Sequence, residues 1–254
     1  CAVELRIPDA IHEHGGQPVT LTQLVSALGS NPTRRPSTMR LLTYSGFFTM
    51  QNAGNGEDTY LLSNHSHYLL RDHPHSISPF LLLELDPLIL TPWQSLSAWF
   101  RGDSPTAFHH LNGAGLWEFA GQTPKLNDMF NEAMASDSHM TMDAIIKEHR
   151  DVFHGLKSLV DVGGGNGAAA MALAEAFPQL KCTVLDLPHV VASAPNRTAI
   201  DFMAGNMFEY VPPGRRCFLE GELWKDTVNF VLAPTFESFI SILVHVWYDA
   251  VDTA

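Results

Sequence analysis

The N-terminal part of the chain carries apolar residues first at helical spacing and then at strand spacing. A helical stripe runs through Leu21, Leu24, Val25 and Leu28. Either Thr20 or Thr22 can cap this helix, and a second helix is predicted over residues 37–46. Two short extended runs follow at 47–51 and 59–62, with a turn-rich tip between them. The order helix, helix, hairpin is typical of a winged helix.

The middle of the chain is strongly apolar but is interrupted by prolines. In residues 77–100, Pro79, Pro87 and Pro92 are expected to divide the apolar run into short helices, so that it does not form one membrane span. A longer helix is predicted over residues 124–142, because a proline suits its first turn and five apolar residues share one face. These five are Leu126, Met129, Phe130, Ala133 and Met134. Such a stripe is expected to pack in a core.

After residue 156 the pattern changes to short apolar runs that alternate with a helix. Residues 158–162 and 182–186 have the composition of buried strands, and the Ala-rich segment 168–177 between them is predicted to be helical. This alternation predicts an α/β fold with a parallel sheet.

The negative charge of the chain disfavours nucleic-acid and membrane partners. The formal net charge is −12 and the sequence pI is about 5.4. An acidic surface repels phosphate backbones and anionic lipid, so we expect no nucleic-acid or membrane partner. The second predicted helix carries only Arg40, with Arg34 and Arg35 before it, which is little basic charge for a DNA-recognition helix. A packing or dimerisation role is favoured for this region, and a DNA-binding regulator is the least favoured hypothesis.

The cysteines indicate neither a disulfide framework nor a metal site. Cys1, Cys182 and Cys217 are odd in number and lack Cys-x-x-Cys spacing, which disfavours a disulfide framework and a zinc site. The histidines show no metal-ligand spacing, so no metal is expected. A reducing, cytoplasmic location fits best. Because the chain starts at Cys1 instead of a methionine, we expect that its natural N-terminus is missing.

The glycine-rich run Leu159-Val-Asp-Val-Gly-Gly-Gly-Asn-Gly167 is the most specific local feature. It follows a predicted strand and opens a predicted helix, which is the context that a nucleotide-type loop requires. Glycines leave the backbone open to a ligand and permit positive φ. Asp186 closes the next strand about 20 residues later, where an acid accepts hydrogen bonds from ribose hydroxyls.

Two cofactors compete for this pattern. Asp161 lies two residues before the first glycine, and its carboxylate would repel the pyrophosphate of NAD. S-adenosylmethionine carries an ammonium and a positively charged sulfur, which an acid attracts. The pattern therefore favours S-adenosylmethionine, and an NAD-linked oxidoreductase stays open as an alternative.

Three motifs in this order resemble those of plant S-adenosylmethionine-dependent O-methyltransferases of the caffeate and flavonoid type. They are the glycine-rich run, Asp186-Leu-Pro-His-Val-Val and Gly205-Asn-Met-Phe. Residues 79–102 are similar to the grass branch, and the resemblance spans about residues 1–219. It implies an α/β, doubly wound, Rossmann-like sheet that is incomplete here, preceded by a mostly helical winged-helix dimerisation domain. It also implies a homodimer, a small phenolic substrate and no metal.

The resemblance further implies a set of cofactor-binding residues, which are Asp161, Gly163, Gly165, Asp186, Asn206 and Met207. Gly163 would lie against the methionine and ribose of the cofactor, and Asp186 would hold the ribose. Asn206 stands where the family has an Asp beside the adenine, so a charge is lost. Met207 matches a Met that packs on the adenine, and Met134 matches a Met near the reactive centre on the substrate side.

The sequence departs from the family after Leu219. Glu220 occupies the position of a Lys that contacts the cofactor, and Trp224 falls at the position of the general base if no gap is allowed. His245 is the candidate catalytic base if about twenty residues are inserted before it, since an imidazole titrates in the range that this task needs. The alternative is that residues 221–254 are unrelated sequence, such as a translated intron. Lacking its last strands, the chain is expected to be poorly soluble or inactive alone.

These observations predict four segments. Residues 1–110 form the dimerisation domain, 111–155 the linking helices, 156–219 a partial cofactor-binding domain and 220–254 a divergent tail. The leading hypothesis is O-methyl transfer to a phenolic hydroxyl. The alternative is a non-catalytic, truncated family member that at most dimerises or binds cofactor.

Overall fold

The chain divides into two units, Cys1–Gly113 and Ala114–Ala254. The computed structural model describes residues 1–29, 35–52, 57–196, 198–212 and 216–219. Each unit has its own apolar core.

The first unit begins with short helices and a small antiparallel sheet. Its elements are α1 (Ile7–His12), β1 (Val19–Thr20), α2 (Leu21–Ala27), α3 (Arg35–Tyr44), β2 (Phe48–Asn52) and β3 (Asp58–Leu62). The strand order is β1-β3-β2. The predicted helices and hairpin are confirmed. Thr20 is the cap: its hydroxyl accepts the Gln23 N–H, and the Gln23 side chain accepts the Thr20 N–H.

The apolar middle of the chain is folded into short helices. After a 3₁₀ turn at His65–Leu69 come α4 (Ser78–Glu84), α5 (Pro87–Gln94), α6 (Leu96–Trp99) and α7 (Ala107–Asn112). Pro79 and Pro87 lie in the first turns of α4 and α5, where no N–H is needed. The expected break at Pro92 is wrong, because Pro92 lies inside α5 and removes only a single bond from a helix that ends two residues later. Among the described residues, no helix combines the length and apolar character needed to cross a membrane.

The second unit consists of a parallel sheet with helices between its strands. Its elements are α8 (Leu116–Gln122), α9 (Pro124–Glu148), a 3₁₀ turn at Arg150–Phe153, β4 (Ser158–Val162), α10 (Ala168–Ala176), β5 (Lys181–Asp186), α11 (Pro188–Ser193), β6 (Ile200–Ala204) and β7 (Arg216–Leu219). The strand order is β6-β5-β4-β7, and the adjacent strands are parallel. The predicted strand, helix and strand are confirmed. The sheet order reverses beside β4, which is the point where doubly wound sheets bind ligands.

The two faces of this sheet are both apolar. On one face Leu159 and Val184 pack against Met142 of α9 and Leu173 of α10. On the other face Val160, Val162 and Leu185 form a smaller cluster. Because side chains alternate along a strand, Asp161 and Asp186 share the first face, where β4 and β5 reach their carboxyl ends.

Candidate cofactor-binding site

The loop between β4 and α10 is left-handed at three glycines. Gly163, Gly165 and Gly167 have φ values of 73°, 57° and 80°. Gly163 is exposed and donates its N–H to the Leu185 carbonyl at 2.8 Å, which ties the loop to β5. A Cβ added at Gly163 would meet no atom of the described residues within 4 Å, its two chain neighbours apart. The loop therefore presents open backbone at the end of β4, as close approach by a ligand requires.

Gly167, unlike Gly163, is packed closely against side chains of another strand. A Cβ added there would lie 2.6 Å from Ile200 Cδ1 and 3.0 Å from Phe202 Cζ, both on β6. Glycine at this position is needed for packing the start of α10 on the sheet, whereas glycine at 163 leaves space in front of the loop.

Asp161 lies beneath the loop. Its side chain is only 1% exposed, and a Cβ on Gly164 would clash with its carboxylate. The absence of a side chain at Gly164 thus makes room for a buried acid. On the neighbouring strand, burial and the negative charge of Asp161 raise the pKa of the Cys182 thiol to about 12.

The carboxylate of Asp186, at the end of β5, is held by the backbone. One oxygen accepts the Gly165 N–H at 2.7 Å, and the other accepts the Leu187 N–H at 2.6 Å. Burial raises the pKa of Asp186, while these two hydrogen bonds and the charge of His189 act in the opposite direction. Each carboxylate oxygen has a second lone pair, so the group still has capacity to accept hydrogen bonds from a ligand.

Asn206 and Met207 follow the end of β6. The Asn206 side chain accepts the Phe208 N–H at 3.1 Å and donates to Glu209 Oε1 at 3.1 Å. Met207 is half-buried and packs on the smaller apolar cluster of the sheet. The Gly205 N–H donates to the Asp186 carbonyl at 2.9 Å, so this segment is joined directly to the end of β5.

Helix α9 passes beside the glycine loop. The Asn166 amide donates to the Asn131 carbonyl at 3.5 Å, and a Cβ added at Gly165 would lie 3.8 Å from Asn131 Oδ1. Met134 is half-buried and lies one turn beyond Asn131. Sequence reasoning singled out Met134 but not Asn131, which lies outside the apolar stripe of the helix.

The structure brings together Asp161, Gly163, Gly165 and Asp186 at the loop, with Asn206 and Met207 on the next strand end. His245, the candidate base, lies outside the described residues, as do Glu220 and Trp224. No cluster of three or more His, Cys, Asp or Glu side chains suited to a metal ion is present in the described part of the chain.

Two family models match the chain. One, the O-methyltransferase domain, matches residues 93–227, and the other, the O-methyltransferase dimerisation domain, matches residues 1–72. The first match continues beyond Leu219, so the expectation that the similarity stops there is wrong.

The chain is also similar to plant proteins named as O-methyltransferases. It is 47% identical over 225 residues to a trans-resveratrol di-O-methyltransferase of Vitis vinifera, covering 87% of this chain and 63% of that protein. It is 43% identical over 252 residues to the probable O-methyltransferase 3 of Humulus lupulus, covering 95% of this chain and 67% of that protein. The chain therefore spans less than two thirds of the first of these relatives.

Solved structures share the fold. Human N-acetylserotonin methyltransferase in complex with S-adenosylmethionine superposes with a TM-score of 0.72 at 19% identity, covering 86% of this chain and 64% of that one. Mitomycin 7-O-methyltransferase superposes with a TM-score of 0.65 at 27% identity, covering 89% and 67%. The predicted architecture, an α/β methyltransferase sheet after a helical N-terminal domain, is confirmed.

Proposed function

This chain belongs to the O-methyltransferase family, and on that basis we propose that it transfers a methyl group from S-adenosylmethionine to a phenolic hydroxyl of a small plant metabolite. The observation that carries the proposal is the open glycine loop between β4 and α10, with Asp186 hydrogen-bonded to its Gly165 N–H. A relative named for methylating trans-resveratrol supports the phenolic class of substrate.

The residues of the loop fit the methyl donor. Space for it exists in front of Gly163, where a Cβ would meet no described atom within 4 Å, and the Asp186 carboxylate accepts the N–H of Gly165 in the same loop. Asp161 is buried beneath Gly164, so it favours a positively charged ligand through its field and not by contact. A dinucleotide pyrophosphate would be repelled by the same field, which weighs against the NAD alternative.

Several residues share the binding of the donor in this proposal. Asp186 accepts hydrogen bonds from the ribose hydroxyls, Met207 packs on the adenine, and Asn206 lies beside the adenine. Gly163 and Gly165 let the backbone approach the ligand. When bound, the donor would supply an activated methyl group to an oxygen nucleophile, with cleavage of its S–CH₃ bond and release of S-adenosylhomocysteine. The sheet and α9 orient the two reactants, which accounts for much of the rate gain of such enzymes.

We assign the proton-removing step to His245, as the sequence predicted. An imidazole takes the phenolic proton while the oxygen attacks, which requires a base that is neutral near pH 7. Met134 lies one turn from the loop-contacting part of α9, and we assign it to the substrate side of the site.

The match to a dimerisation domain over residues 1–72 supports a homodimer. We assign residues 1–110 to that function as a winged helix, residues 111–155 to linking helices, and residues 156–219 to cofactor binding. The cysteine content supports a cytoplasmic location.

Calorimetric titration of the purified 254-residue chain tests the cofactor. We expect S-adenosylhomocysteine to bind and NAD not to bind. Incubation with methyl-labelled S-adenosylmethionine and a catechol-type phenol then tests the reaction. Labelling would contradict the expectation that this chain is inactive alone, and its loss in His245→Ala with an unchanged titration would support His245 as the base.

The other outcomes are distinct. Binding without turnover would identify a non-catalytic, cofactor-binding family member. Binding of NAD in place of S-adenosylhomocysteine would overturn the methyltransferase assignment for this chain.

A further inference from the structure

Two asparagines lie one helical turn apart on α9, and they have different surroundings. Asn127 is buried, and its amide donates to Ser193 Oγ at 3.1 Å, so its hydrogen-bonding role is internal to the fold. Asn131 is half-buried, and no hydrogen bond to its side-chain amide is present within the described residues. An amide in such a place retains two donors and an acceptor for an external group.

The Asn131 amide lies against the glycine loop. Its Oδ1 would be 3.8 Å from a Cβ on Gly165, while the N–H of the same glycine donates to Asp186. Gly165 therefore has the ribose-binding acid on one side and Asn131 on another. The Asn166 amide, which donates to the Asn131 carbonyl, joins the loop to the helix at this residue.

The strand order fixes which part of the ligand reaches this position. Asn206 and Met207 follow β6, Asp186 ends β5, and the glycine loop follows β4. With adenine at β6 and ribose at β5, the amino-acid end of the donor extends to the loop after β4, one strand spacing of about 4.8 Å further along the sheet.

The charges around the loop define what this end of the ligand needs. Asp161 and Asp186 are both acids, which suit an ammonium group but repel a carboxylate. The α-carboxylate therefore needs a hydrogen-bond donor, and a neutral amide supplies one. Nitrogen and oxygen of an amide are interchanged by a rotation of the group, so the NH₂ can take the position of Oδ1.

We propose that Asn131 binds the α-amino-acid group of the methyl donor, donating its side-chain N–H to the carboxylate. The assignment rests on the proposed function, since it presupposes that S-adenosylmethionine occupies the loop. It adds to the cofactor site a residue from α9, outside the strand ends that carry the others.

Two ligands that differ only at this end provide the test. S-adenosylhomocysteine carries the amino-acid group, and 5′-methylthioadenosine keeps adenine and ribose but lacks it. For Asn131→Ala we expect about tenfold weaker binding of S-adenosylhomocysteine, the loss typical of one hydrogen bond to a charged group, and less than about twofold change for 5′-methylthioadenosine. Asn131→Asp, which keeps the side-chain volume but puts a like charge beside the carboxylate, should lose at least as much.

Asn127→Ala is the matched control, because the Asn127 amide is engaged by Ser193. It should lower the melting temperature and leave the affinity ratio of the two ligands at the wild-type value. An unchanged ratio in both Asn131 variants, with wild type binding both ligands, would overturn the assignment of Asn131 alone. Failure of wild type to bind S-adenosylhomocysteine would overturn the proposed function together with it.

Discussion

Replacing Gly163 by alanine should separate ligand binding from stability. Gly163 has φ of 73° and open space where a Cβ would lie. The added methyl therefore costs left-handed strain of about 1–2 kcal/mol, which lowers the melting temperature by about 2–8 °C in a chain of this size. It also fills the front of the loop, so we expect S-adenosylhomocysteine to bind about tenfold more weakly, equivalent to about 1.4 kcal/mol.

Gly155 provides a matched control in the same unit. Its φ is 74°, it is exposed, and a Cβ there also meets nothing within 4 Å, but it lies before β4 and away from the loop. Gly155→Ala should cost the same strain without changing affinity. Gly167→Ala should be the least stable variant, because its Cβ would lie 2.6 Å from Ile200 Cδ1 and overpacking adds about 1–3 kcal/mol.

Thermal unfolding by circular dichroism and calorimetric titration of the three variants provide the comparison. Equal affinities for S-adenosylhomocysteine in Gly163→Ala and Gly155→Ala would refute the idea that the open backbone at 163 faces the ligand. A melting temperature for Gly167→Ala equal to that of Gly155→Ala would refute the packing argument for β6.

Other predictions concern ionisation and capping. Since burial raises the pKa of Asp186, the affinity for S-adenosylhomocysteine should fall on acidification, at a higher pH than it would if this aspartate had its ordinary pKa. The Asp186→Asn variant should bind S-adenosylhomocysteine weakly, and its affinity should not show this pH dependence. The folded chain binds the Asp186 proton more tightly than the unfolded chain does. The contribution of Asp186 to the free energy of unfolding should therefore fall as the pH rises from the ordinary aspartate pKa to the raised pKa of the folded chain. In the native chain at pH 8, iodoacetamide should label the exposed Cys1 and spare the buried Cys182, because the pKa of the Cys182 thiol is raised to about 12. Labelling of Cys182, detected by peptide mapping, would contradict its burial. Thr20→Ala should cost about 1 kcal/mol in denaturant unfolding, and Thr22→Ala clearly less.

Short-range patterns were sufficient for the order of elements in the second unit. The strand, glycine loop, helix and strand are each specified by neighbouring residues, and the structure has them at 158–162, 168–176 and 181–186. The end of α9 was set too early, at residue 142. The helix continues through the charged residues that follow, because Asp143 and Lys147 form an i,i+4 ion pair at 2.6 Å and Ile145 is buried in the core.

Contacts between distant segments were not predictable in the same way. A run of glycines indicates a ligand loop, but it does not tell that 163 faces open space, 164 covers a buried acid and 167 packs on β6. Gly121 of α8 is a further case, because the His189 ring lies 3.3 Å from where its Cβ would be. These roles depend on residues from other elements that only the folded chain brings together.

The geometry of the proposed site depends more on the backbone than on any one side chain. The Gly163 N–H joins the loop after β4 to β5, and the Gly205 N–H joins the segment after β6 to β5, at 2.8 and 2.9 Å. The three strand ends that we propose to contact the ligand are thus joined by backbone hydrogen bonds. In the proposed site, Asn206 in place of the family's acid therefore removes one charged contact to the adenine, while these backbone bonds keep the spacing of the strand ends. We therefore expect Asn206 to lower the affinity for the donor without changing the order of the other ligand contacts.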